Sequence, residues 1–411
     1  MRVGLQSYLS DTKVDARTNN SQRQLSLAIS AIPDDSSKEL ALNICLVVDL
    51  NDSIPEQSLL VVKQAIISTI GKLKPSDRIS VIVLNRQARA IVPNQIASNL
   101  PAIAKHIGQM AIDDGSSLDE GLRLGLKEVA AHNQHCVSRI FLLTDGVNGH
   151  GDCNRCLKLA ELSSECNITI DTIGFGDRWN RDFLEQISDL ARGTLNYIER
   201  ADLAAFELER LLNRARSVGL TNSFLTVELM PRTRLAKLKP MAQVAPETIE
   251  LPVQLQGNHF TIRLGDLMLD RPRVILLNLY VNQLPPGIHK IAAVQIRYDD
   301  PETKSSSLHS DILVVELESQ NIYHPQSNDT VQNHILSLAK YCQTQIAEIK
   351  LEQGDRLGAA TMLQTAAKTA LQLGDRSGAA VLQTNATRLQ IGKNLAEGDR
   401  QKTRLISKTI F

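Results

Sequence analysis

The sequence predicts a doubly wound α/β domain, joined to an antiparallel β-sandwich and a C-terminal α-helical repeat. Three observations lead there. Residues 38–216 alternate short apolar runs with amphipathic stretches, residues 217–320 alternate apolar with polar residues between Pro, Gly and Asn, and a short phrase recurs at a period of twenty beyond residue 350.

In the first region LNICLVVD (Leu42–Asp49) is a continuous apolar run ending in a carboxylate, and RISVIVL (Arg78–Leu84), RIFLLTD (Arg139–Asp145) and NITIDTIGF (Asn167–Phe175) share its form. Short β-branched runs of this kind suit strands covered on both faces. The intervening segments Gln57–Leu73, Ala102–Gln109, Leu118–Ala131, Asp152–Ser164 and Asn180–Leu190 read as helices. In the third, Leu122, Leu126 and Val129 line one face and leave Glu120, Arg123 and Lys127 for solvent. Such alternation implies a mostly parallel sheet with helices on both sides.

From Thr221 to about Leu317 the period changes to two. FLTVELM, TIELPVQLQ, FTIRLGD, RVILLNLYV and KIAAVQIRY are separated by turn residues, the pattern of an antiparallel sandwich. The early segment Gln22–Ile32 alternates in the same way, so residues 1–37 are expected to lend a strand to that sandwich across the inserted α/β domain. Residues 328–395 form the helical repeat. GDRLGAATMLQT from Gly354 returns as GDRSGAAVLQT from Gly374, with Gly for the turn, Asp to cap the next helix and paired Ala for close packing. Residues 396–411 read as a polar, loosely held tail.

Lys plus Arg and Asp plus Glu balance at 45 each, for a formal net charge of zero. No long-range field draws such a chain onto nucleic acid or anionic lipid. No run approaches the ~18 uninterrupted apolar residues of a membrane span, and the first thirty residues lack the apolar core of a secretion signal. Six cysteines spread over 411 residues do not make a disulfide framework. The expected location is the cytoplasm.

Three separated segments carry oxygen ligands: Asp49-Leu50-Asn51-Asp52-Ser53, Asp113-Asp114-Gly115-Ser116-Ser117 and Thr144-Asp145-Gly146. Asp49 and Asp145 end strands, and open α/β sheets bind ligands beyond the carboxyl ends of their strands. Carboxylate, hydroxyl and amide oxygens without a soft ligand favour magnesium, manganese or calcium over zinc. Clustered carboxylates also need a counterion, since two unit charges ~4 Å apart repel by roughly 4 kcal/mol at an effective dielectric of 20. Asp113 and Asp114 read as solvated loop charges. Cys153-Asn154-Arg155-Cys156 is a CxxC with His132, His135, Cys136, His150 and Cys166 nearby in sequence. Lacking a second CxxC, these read as ordinary thiols and surface histidines, and Cys45 as core.

The order Asp-x-x-x-Ser, then Gly-Ser before a helix, then Thr-Asp-Gly resembles the von Willebrand factor type A (VWA) domain, a Rossmann-like fold, and its metal-ion-dependent adhesion site. DRISVIVLNRQARAIVP, SSLDEGLRLGL and FLLTDGVNGHG resemble bacterial members of that family. The resemblance spans about residues 40–216 and implies Asp49, Asn51, Ser53, Ser116 and Asp145 as metal ligands. It further implies a protein partner whose Asp or Glu completes the coordination, and a role in recruitment or assembly. Asn51 stands where the family usually has Ser, and Asp52 where it usually has Gly. Two other readings therefore stand beside the cation-dependent adaptor: a metal-free scaffold with a degenerate site, and a metal-dependent hydrolase. The last finds no GxxxxGK[ST], HExxH or GxSxG in the sequence.

Overall fold

A computed structural model describes residues 1–35, 39–49, 56–84, 87–111, 117–144, 152–176 and 179–409. In chain order, β1 (Arg2–Leu9), β2 (Lys13–Asp15) and β3 (Asn20–Ile32) come first. The α/β stretch follows with β4 (Leu42–Asp49), α1 (Glu56–Ile70), β5 (Arg78–Leu84), β6 (Ala88–Ile96), α2 (Leu100–Gly108) and α3 (Leu118–Ala130). It continues with β7 (Val137–Thr144), α4 (Cys153–Glu165), β8 (Thr169–Phe175), α5 (Arg181–Leu190), β9 (Leu195–Ile198) and α6 (Ala204–Arg216). Then come β10 (Val218–Leu229), β11 (Thr233–Leu235), β12 (Met241–Ala245), β13 (Ile249–Glu250), β14 (His259–Met268), β15 (Arg273–Asn282), β16 (Gly287–Asp300), β17 (Ser305–His309) and β18 (Leu313–Gln320). The chain closes with α7 (Asp329–Glu352), α8 (Arg356–Gln372), α9 (Arg376–Gln390) and α10 (Glu397–Lys408). Two compact units result: Asp35–Asn222 with Asp299–Ser306, and Met1–Asp34 with Ser223–Tyr298 and Ser307–Phe411. Among the described residues no helix is long and apolar enough to cross a membrane.

In the first unit the sheet runs β6-β5-β4-β7-β8-β9. The pairs β4–β5, β4–β7, β7–β8 and β8–β9 are parallel, and β6 adds an antiparallel edge. Every residue of β4 is buried. Leu42, Ile44, Leu46 and Val48 face a core with Val62 and Ile66 of α1, Ile103 and Ile107 of α2, and Leu208 and Leu211 of α6. The opposite face carries Cys45 and Val47 against α3, where a Cβ on Gly125 would lie 3.0 Å from Val47 Cγ2 and one on Gly121 2.4 Å from Leu84 Cδ2. Two glycines one turn apart thus let α3 sit directly on β4 and β5. Asn43 closes the far end of that helix: its Nδ2 donates to the Val129 and His132 carbonyls, both at 3.0 Å, satisfying groups a helix terminus leaves open.

Strands of the second unit form two six-stranded sheets, β1-β3-β15-β12-β13 with β11 on β15, and β14-β10-β16-β18-β2 with β17 on β16. The segment Gln22–Ile32 lies in β3 and pairs antiparallel with β15, from Gln22 opposite Tyr280 to Ile29 opposite Arg273. TIELPVQLQ behaves differently from its alternation: only Ile249–Glu250 is a strand. Pro252, without an N–H, cannot continue the ladder.

The repeat is built as its residue types require. Gly354 and Gly374 both have φ +81°, and Asp355 and Asp375 cap α8 and α9 by accepting from the Gly358 and Gly378 N–H at 2.8 and 2.7 Å. The second glycine of each phrase is needed too, because a Cβ there would stand 2.1 Å from the capping carboxylate. Ala359, Ala360, Leu363, Ala379 and Leu382 form the core between the helices.

The expectation of a loosely held tail over residues 396–411 is overturned as far as Thr409, the last described residue. Glu397–Lys408 is helix α10, with Gln401, Ser407 and Lys408 buried. Asn385 Nδ2 donates to Thr403 Oγ1 at 2.9 Å, Arg388 pairs with Asp399, and the Arg404 guanidinium lies 5.5 Å from the Tyr341 ring centroid. The helix buries long polar side chains and their stems instead of an apolar stripe, so no hydrophobic period announces it.

Two buried features of the α/β unit lead to expected outcomes. A Cβ on Gly193, between α5 and β9, would lie 1.9 Å from the Ile170 backbone oxygen. Gly193→Ala should therefore lower the unfolding free energy by about 3 kcal/mol, read from a denaturant melt. Arg139 Nη1 donates to Asp171 Oδ2 at 2.9 Å, and the Thr194 N–H and hydroxyl donate to Oδ1 at 2.9 and 2.8 Å. Burial alone would raise the Asp171 carboxyl, but Arg139, Arg214 and Thr194 outweigh it and hold it below the ordinary value. Its contribution is thus present above pH ~4 and is lost as pH falls from there through the lowered folded value. Asp171→Ala should cost roughly 3–5 kcal/mol by stranding the buried guanidinium. It should also flatten the acid limb of stability against pH, measured by melts between about pH 2 and 6.

Candidate functional site

The chain leaves β4 toward β5 on one side, and β7 leads to β8 and β9 on the other. The topological switch point is therefore the gap between the carboxyl ends of β4 and β7, where such sheets bind ligands. Asp49 and Thr144 are the last residues of those strands and stand opposite each other in register. Both are buried, at 4% and 3% exposure, and the Thr144 hydroxyl donates to Asp49 Oδ2 at 2.9 Å.

Helix ends converge on the same edge. α1 and α4 follow β4 and β7, and α3 returns to the amino end of β7, so all three begin at the carboxyl edge. Their partial positive charges favour anionic groups there. Asp152 caps α4 by accepting from the Asn154 and Arg155 N–H at 2.9 and 3.2 Å. At the start of α3, Ser117 Oγ donates to Asp119 Oδ1 at 2.6 Å, and Arg155 Nη1 lies 2.8 Å from both Asp119 Oδ2 and Glu120 Oε1. Burial works to raise the Asp119 carboxyl, but Ser117 and Arg155 outweigh it and hold it below the ordinary value. Glu120 is lowered as well, first by Arg123 and then by Arg155 against burial. The sequence assigned Glu120 to solvent and gave Arg155 no role. A pairing across 35 residues between two helix starts leaves no periodic signal.

Of the sequence-predicted ligands, Asp49 is placed as described. Asn51, Ser53, Ser116 and Asp145 lie outside the described residues, as do Asp52, Asp113 and Asp114. The described residues next to them in the chain, Asp49, Ser117 and Thr144, lie at the carboxyl edge. Among the described residues no group of three or more His, Cys, Asp or Glu side chains could hold a metal. Of the five predicted ligands, the Asp49 carboxylate alone is described, a hard oxygen donor.

Family profiles match the chain twice: the von Willebrand factor type A domain over residues 43–211, and the "Sll0103-like, C-terminal alpha-helical domain" over residues 329–411. Protein sll0103 of Synechocystis sp. is 53% identical over 409 residues, covering 100% of this chain and 97% of that one. The chain belongs to the Sll0103-like family and carries a VWA domain. In structure it resembles a von Willebrand factor type A protein from Catenulispora acidiphila, with a TM-score of 0.82, 14% identity and coverage of 99% of this chain and 97% of that one. The ArnB paralog VWA2 from Sulfolobus acidocaldarius gives a TM-score of 0.59 at 13% identity, covering 99% and 98%. At these identities the two likenesses speak for the fold.

The CxxC of the Sll0103-like chain splits into unequal thiols. Cys153 is exposed and Cys156 is buried. Burial, then the negative charge of Asp119, pushes the Cys156 thiol up to about 12, and burial does the same at Cys45. At about pH 7 such thiols are thiolate at roughly one part in 10⁵. Treating the folded protein with iodoacetamide should label Cys153 and the exposed Cys166, leaving Cys45 and Cys156 unmodified until denaturation, as read by peptide mass mapping.

Proposed function

We propose that this protein binds a partner protein at the carboxyl edge of its parallel sheet. In this reading a divalent cation is held by Asp49, Asn51, Ser53, Ser116 and Asp145, and an Asp or Glu carboxylate of the partner completes its coordination. The observation that carries the proposal is the buried Asp49 carboxylate, braced by Thr144 at the switch point and facing an edge where three helices begin. When bound, the cation supplies positive charge and an open coordination position. Thr144 orients the Asp49 carboxylate through Oδ2, and the helix starts offset the accumulation of negative charge. Magnesium suits an all-oxygen set, with manganese or calcium as substitutes.

The same reading makes the protein a non-enzymatic adaptor, since the sequence carries no phosphate loop, zincin or nucleophile-elbow motif. Six cysteines spread thinly over 411 residues suit a reducing compartment such as the cytoplasm. We also take the two sheets of the second unit to stack as a sandwich, a reading supported by buried Leu25, Leu27 and Ile29 on one and Leu225 and Val227 on the other.

Titration calorimetry with magnesium should give a binding isotherm for the wild type and none for Asp49→Ala. Thr144→Val, which keeps the shape but removes the hydroxyl, should weaken binding about 10–100-fold. Absence of any magnesium-dependent heat in the wild type would leave the metal-free scaffold as the surviving alternative. Partner capture that is equal with and without chelator would point the same way.

A further inference from the structure

Outside the α/β unit, a cysteine, a lysine and a glutamate meet where helix α7 passes the first of the two sheets. Lys239, in the connection between β11 and β12, has φ +46°. Its Nζ lies 3.0 Å from Cys342 Sγ on α7 and touches the Glu250 carboxylate on β13. Cys342 Sγ is 3.9 Å from Glu250 Oε1. The lysine and glutamate are 47% and 42% exposed and the cysteine is half-buried, so a small oxidant reaches the group. A surface ion pair needs only the Lys and Glu. The sulfur placed against the same ammonium adds a nucleophile.

We propose that Lys239 and Cys342 are a peroxide-sensitive pair that closes into a covalent sulfur–nitrogen tether between the β11–β12 connection and α7. The ammonium donates to the Cys342 sulfur, and the thiolate is the reactive form of cysteine. Attack on hydrogen peroxide forms an S–O bond and breaks the O–O bond. Hydroxide departs and takes a proton as water, and the sulfur is oxidised by two electrons to a sulfenic acid. Consumption of the thiolate removes one of the groups that hold the lysine proton, which passes to solvent by way of Glu250. The neutral amine then attacks the sulfenyl sulfur: the S–N bond forms, the S–O bond breaks, and the hydroxyl leaves with an amine proton as water. One peroxide is reduced to two waters, and the two residues together lose two hydrogens.

Before oxidation Lys239 is protonated: burial works against its charge, but Cys342 and Glu250 outweigh it and raise its value. That is the state the first step requires. The tether would bridge a packing layer in which Val244, Val274 and Leu276 of the sheet meet Val331 of α7, holding the C-terminal helices to the sheet.

The test is mass spectrometry of the full-length protein after brief treatment with hydrogen peroxide. The expected product is a cross-linked peptide joining Lys239 and Cys342, lighter than the sum of its parts by about 2 Da and reopened by dithiothreitol. Lys239→Arg keeps the positive charge without a competent amine, and Cys342→Ser removes the sulfur, so both should abolish the cross-link. Circular dichroism of the two variants checks that each is folded. The proposal is overturned if Cys342 in the wild type advances to the sulfinic acid, a gain of about 32 Da, with Lys239 unmodified. A Cys342 disulfide between two chains, or a product unchanged by Lys239→Arg, would overturn it equally.

Discussion

Covering β4 on both faces is the constraint on which the rest of the α/β unit depends. Its even-numbered residues face α1, α2 and α6, while Cys45 and Val47 face α3. A strand enclosed in this way meets a ligand only at its end, so its last carboxylate, Asp49, comes out at the sheet edge. The closeness of α3 follows from the same packing. Gly121 and Gly125 remove the two side chains that would hold the helix off the sheet, and the start of α3 is thereby brought to the edge where Asp49 and Thr144 end their strands.

Two of the unit's buried aspartates, Asp171 and Asp49, serve different ends. Asp171 sits mid-strand, in contact with Arg139 and Thr194, where its charge is cancelled within the core. Such a pair contributes little net stability over an apolar replacement but is costly to break. Asp49 sits at a strand end beside a hydroxyl, in the field of helix starts. Position along the strand separates a structural carboxylate from a candidate ligand, although burial alone would rank Asp171, at 0%, above Asp49, at 4%.

In the second unit, polar residues do work usually left to apolar ones. The turns of the helical repeat depend on an aspartate cap that needs a glycine three residues on. Lys340, 2% exposed, lies 3.4 Å from the Asp375 cap and 3.0 Å from the Thr409 carbonyl. One buried ammonium thereby links α7, the start of α9 and the end of α10. α10 itself is held by arginine stacking and hydrogen bonds.

Local chemistry made much of this legible in the sequence. Short uninterrupted β-branched runs suit strands covered on two sides, the Gly-Asp phrases of the repeat suit turns followed by caps, and an aspartate after such a run suits a strand end. Those inferences need neighbours no further than a helical turn. Tertiary structure decided the rest, because each remaining feature joins residues with no common period. Examples are Arg155 reaching the first turn of α3, Lys239 meeting Cys342, and a polar C-terminal segment folding as α10. Periodicity reports which face of an element is apolar. It carries no information about which distant charge, sulfur or backbone edge the other face will meet.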